Sequence, residues 1–91
     1  MEKTEMMRLL KSLIPGRNVL HLTHIHGVIM EVEAMETTSG KECFLIRAPG
    51  STILTKNLAV FELPTGVGLP IENDGAICVN SSLWEGEIRE M

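Results

Sequence analysis

Between residues 18 and 63 apolar and polar positions alternate in short runs, and each run is closed by residues that turn a chain. Alternation with period two places one set of side chains on each face of a strand. The spacing predicts strands near 18–24, 28–36, 42–48, 52–56 and 58–63, with punctuation at Gly27, Thr37-Thr38-Ser39-Gly40, Pro49-Gly50-Ser51 and Pro64. The intervening connections are too short for crossovers, so successive strands are expected to pair antiparallel. Upstream the period changes. Met6, Leu9, Leu10 and Leu13 recur at i, i+3, i+4 and i+7, which predicts a helix over 4–14 with Thr4 as cap and Pro15-Gly16 as stop.

Beyond Pro64 the pattern thins into TGVGLP, and Asp74-Gly75 then marks a turn between 69–72 and 76–80. Ser82-Leu83-Trp84-Glu85 has the spacing of a capping box and predicts a short terminal helix. The fold expected is mainly β, of the α+β class. It comprises an N-terminal helix (1–15), a five-stranded bent antiparallel sheet or small barrel (18–64) and a C-terminal hairpin or short-helix extension (65–91). Its 91 residues suffice for one domain, 1–91. A closed barrel limits exposed strand edges; an open meander with the helix on one face is the alternative.

All three histidines fall in LHLTHIHGV, residues 20–28. A two-residue turn at His26-Gly27 would set Leu22 opposite Glu31 and Leu20 opposite Glu33, mixing apolar and acidic side chains on one face. A three-residue loop, Ile25-His26-Gly27, with Gly27 left-handed, instead pairs Leu20 with Val32, Leu22 with Met30 and His24 with Val28. In that register Leu20, Leu22, Val28, Met30 and Val32 share a face. His21 then lies outward across from Glu31, His24 at the rim and His26 at the tip. His24 and His26 have the HxH spacing used by metal sites, but no third ligand stands at a metal spacing, so no metal is expected.

Composition narrows the chemistry. Eight Lys and Arg against twelve Asp and Glu give a net charge of −4, a field that repels a phosphate backbone unless a local site overcomes it. Cys43 and Cys78 lack CxxC spacing and read as small buried hydrophobes of a reducing compartment. Cys43 has no neighbouring cation in ECFLIRA to activate it, no serine sits on a strand-to-helix elbow, and the GVG at 66–68 precedes no helix signal. No catalytic residue and no cofactor are expected. Apolar runs stay short of the ~18 residues a spanning helix needs, so a cytoplasmic location without membrane association is expected.

The helix LLKSLI, the strand pair VLHLTHIHGVIMEVEA, the strand ECFLIRA and the run STILTKNLAVFELP resemble, in order and length over about residues 5–64, the Sm-like fold and its Hfq branch. The resemblance implies a homo-oligomeric ring in which the fourth strand of one subunit pairs with the fifth of the next. It also implies an inner-rim RNA site at Lys56 and Asn57, with Phe44 stacking a base and Thr37 and Thr38 in the adjoining loop. The family's Tyr-Lys-His is here Thr55-Lys56-Asn57, and Glu31, Glu33 and Glu36 add negative charge. The function expected is a non-enzymatic oligomeric binding module for short single-stranded RNA or a nucleotide. Two alternatives are an acidic protein-interaction module that docks a basic partner, as an inhibitor or adaptor, and a sponge or sensor for a small nucleotide-like ligand.

Overall fold

The computed structural model describes residues 1–36, 38, 40, 42–55, 57–61, 71–73 and 76–91, with backbone only at 42, 51, 53–55, 57–61, 71–73 and 76–78. An N-terminal helix, α1 (Lys3–Lys11), precedes strands β1 (Asn18–His24), β2 (Ile29–Glu36), β3 (Glu42–Ala48), β4 (Ser51–Thr55) and β5 (Asn57–Phe61). β6 (Ile71–Asn73) and β7 (Ala76–Asn80) follow, then a 3₁₀ turn at Ser81–Leu83 and β8 (Trp84–Glu90).

The helix is shorter than its apolar period. Glu2, not Thr4, is its N-cap, without a side-chain cap bond, and Ser12 closes it by donating its hydroxyl to the Leu9 carbonyl at 2.6 Å. The chain then reaches β1 through the buried Asn18. Its Oδ1 accepts from the Ile14 amide at 2.7 Å and its Nδ2 donates to the Ser12 carbonyl at 3.1 Å, so one side chain serves two backbone groups freed by the helix end.

A five-stranded antiparallel sheet is present, in the order β4-β3-β2-β1-β8. Its fifth strand is not the expected 58–63 segment. β5 joins a separate three-stranded sheet, β5-β7-β6, in which β5 runs parallel to β7 and β6 pairs antiparallel with β7, close to the hairpin expected at 69–72 and 76–80. The five-stranded sheet does not close into a barrel: among the described residues β4 and β8 are hydrogen-bonded on one side only. The terminal helix expected from Ser82 is also corrected. Asn80 accepts from the Ser82 amide at 3.2 Å and caps a single 3₁₀ turn, after which Trp84 is extended and β8 pairs with β1 over its whole length, from His24 opposite Trp84 to Asn18 opposite Glu90.

The first hairpin has the three-residue loop. Leu20 faces Val32, His21 faces Glu31 and Leu22 faces Met30, while the His24 and Val28 backbones bond at 2.8 Å around Gly27 at φ 87°. Only that register puts Leu20, Leu22, Met30 and Val32 on the buried face together. Met6, Leu9 and Leu13 of the helical segment close over them, with Ile46, Val79 and Trp84 completing the core. Among the described residues no helix is long and apolar enough to cross a membrane.

Gly86 shows how tightly β8 is seated. A Cβ there would lie 2.7 Å from Met1 Cε, 2.8 Å from Leu22 Cδ2 and 3.2 Å from Leu20 Cδ1. The leucines are buried and cannot swing into solvent. Gly86→Ala is therefore expected to destabilise the fold by about 1–3 kcal/mol through overpacking, read as a lower urea midpoint with unchanged slope.

Candidate functional site

Where α1 ends, a cavity of about 270 Å³ opens between the helix and one end of the sheet. Leu10, Leu13 and Pro15 form the helix side, and Ala34, Met35, Cys43 and Phe44 form the sheet side. Among the described residues that line it, the charged one is Lys11, exposed in the last helical turn. The lining mixes apolar side chains with polar surface, as a small-ligand site can, and this volume sits near the lower limit for one. Cys43 is buried as a free thiol; Phe44 is half-buried and packs against the core cluster.

The backbone gathers several expected site residues at this end of the sheet. Phe44 stands opposite Thr55 in the β3–β4 ladder, Asn57 opens β5, and Thr38 is exposed in the turn between β2 and β3. Lys56 and Thr37 lie outside the described residues. Of the expected set, Phe44 is the member whose side chain is placed at the cavity. Lys11 and Cys43 line it without having been singled out as ligand contacts. Pro15, four residues after Lys11, was the available signal that the helix's last carbonyls would be left open near such a site.

The histidines do not diverge as expected. His24 is buried, 8% exposed, not set at a rim. Its Nδ1 accepts from the His26 amide at 3.1 Å, which closes the hairpin loop, and its ring meets Trp84 edge-on at 4.9 Å between centroids. The His26 ring lies 5.2 Å away. Since Nδ1 acts as acceptor, the neutral tautomer carries its proton on Nε2, and that buried atom has no partner among the described residues. Of the HxH pair, one imidazole is thus committed inward, and no group of three His, Cys, Asp or Glu among the described residues is placed to hold a metal ion.

On the opposite face of the sheet Thr52, Arg47, Glu31, His21 and Glu87 stand in one row across β4, β3, β2, β1 and β8. Arg47 reaches diagonally to Glu33, with Nη1 to Oε2 at 2.8 Å. Arg89 donates through Nε to Glu87 at 2.8 Å. That hydrogen bond, then the Arg89 charge and more weakly the His21 charge, hold the Glu87 carboxyl below the usual carboxylate range against a small opposing effect of burial. A shallow groove of about 170 Å³ runs beside this row, with His21, Thr23, Glu85 and Arg89 in its walls. Glu33 and Glu87 on this face are already partnered, so the face is less acidic than the sequence suggests.

A scan against protein-family models, a search of curated proteins and a search of solved structures each found no match for the chain. The functional reading therefore rests on the geometry of these sites.

Proposed function

We propose that this protein is a non-enzymatic, homo-oligomeric binding module for short single-stranded RNA or a nucleotide, with the cavity at Phe44 as its ligand site. The observation that carries the reading is a half-buried aromatic ring in the wall of a small cavity of mixed polar and apolar lining, with a lysine among its lining residues. An aromatic face stacks any base, and stacking is the sequence-tolerant part of single-strand recognition. The Sm-like resemblance supports the same reading. It expects site residues at this end of the sheet, where Phe44, Thr55 and the start of β5 fall. Oligomerisation is supported by strand edges: among the described residues β4 pairs only with β3 and β5 only with β7, and an unpaired edge is a template for a second copy. The docking of a basic partner on the acidic face has less support, because Arg47 and Arg89 already engage Glu33 and Glu87.

The test is fluorescence anisotropy with labelled short oligonucleotides at low and high salt, alongside native mass spectrometry for subunit number. Phe44→Ala is expected to weaken binding by about tenfold to a hundredfold, the worth of one stacked base. Lys56→Ala is expected to lower the salt dependence. If no oligonucleotide or nucleotide binds at low salt, the proposal is wrong.

A further inference from the structure

On the helix side of the Phe44 cavity two lining residues have backbone carbonyls left without an amide partner among the described residues. The Lys11 carbonyl would ordinarily receive an amide proton from residue 15, but Pro15 has none. The amide three residues on, that of Ile14, is committed to Asn18 Oδ1 at 2.7 Å. The Arg17 amide, which could serve Leu13, goes to the Ile14 carbonyl at 3.0 Å. Among the described residues neither the Lys11 nor the Leu13 carbonyl receives a hydrogen bond, and both residues line the cavity.

The charge balance points the same way. The cavity lies at the C-terminal end of α1, where the aligned peptide dipoles leave partial negative charge. Lys11, in the last turn, carries the charge that offsets it. Glu36, exposed at the end of β2, follows directly on the cavity residue Met35. The described surroundings thus favour a group that donates hydrogen bonds over one that brings negative charge. The cavity has room for one planar ring against Phe44 and opens to solvent.

Resting on the reading of this cavity as a nucleotide site, we infer that it recognises the N–H donors of a single nucleobase through the Lys11 and Leu13 carbonyls, and that the phosphate stays outside. The base stacks on Phe44 and donates from its edge to the helix end. A site with fixed acceptors discriminates against a base that cannot donate, because the acceptors are then desolvated without a partner.

The experiment is an NMR titration of the full chain, to millimolar ligand, with uridine, adenosine, their 5′-monophosphates, 3-methyluridine and N6,N6-dimethyladenosine. For at least one base, nucleoside and monophosphate are expected to bind within about threefold of one another, while methylation of the donor lowers affinity by at least about tenfold. Phe44→Leu keeps the apolar packing and removes the aromatic face, and it is expected to weaken every base. A monophosphate that binds more than about tenfold tighter than its nucleoside, or a methylated base that binds as well as its parent, overturns the inference. Binding of oligonucleotides without any nucleoside overturns it too, yet leaves the broader reading standing. Failure of all these ligands, oligonucleotides included, overturns both.

Discussion

A chain ending at residue 83 is expected not to fold. β8 spans Trp84–Glu90 and pairs with every residue of β1. Its removal would leave β1 as an unpaired edge strand, expose the flanks of Leu20 and Leu22, and delete Trp84 from the core. Loss of the indole alone costs about 3–5 kcal/mol. Each ladder hydrogen bond adds about 1 kcal/mol, against a total stability of about 5–15 kcal/mol for a domain. The shortened chain is expected to show no cooperative urea transition by circular dichroism and a collapsed amide proton spectrum. The experiment also separates two ways of making a five-stranded sheet. Were 58–63 the fifth strand, as the Sm-like order implies, a chain ending at 83 would retain all five strands and its transition.

The contrast shows what could be read along the chain. The first hairpin was legible because two independent signals agree there: the alternation of Leu20, Leu22, Met30 and Val32, and a glycine placed to take φ 87°. His24 shares its parity with Leu20 and Leu22, so its inward side chain was implicit; proximity to the loop argued wrongly for a rim. β8 was hidden for a physical reason. Trp84, Gly86 and Ile88 alternate inward against Glu85, Glu87 and Arg89, but the middle inward position is a glycine. That glycine reads as a gap in the apolar pattern until Met1, Leu20 and Leu22 are seen to fill the space above it. The Ser82–Glu85 spacing then favoured a helix, although Asn80 performs the capping one turn earlier. Phe44 was singled out through the resemblance, as an aromatic ring able to stack a base. The cavity around it was not, because Leu10 and Leu13 meet Ala34 and Cys43 only through tertiary packing.

Trp84→Ala is expected to lower stability by about 3–5 kcal/mol, or roughly 15–30 °C in midpoint for a chain of this size. Trp84 is 1% exposed, the largest of the fully buried side chains, and it stands opposite His24 where β8 begins. Truncation would leave a cavity among core residues and remove the edge-on partner of the His24 ring. It would also loosen the junction where the Ile25 amide bonds the Leu83 carbonyl at 3.1 Å. Trp84→Phe separates these contributions. It keeps an aromatic face for His24 and deletes the indole Nε1, a buried donor with no partner among the described residues. Removing an unsatisfied donor relieves a desolvation penalty, which offsets part of the lost volume. The phenylalanine variant is therefore expected to lose less than half of what alanine loses. Urea unfolding followed by far-ultraviolet circular dichroism measures both, since the substitutions remove the chain's one indole. A loss below about 1 kcal/mol for alanine would mean that β8 is not anchored by this side chain, and the central role assigned to the C-terminal strand would fall with it.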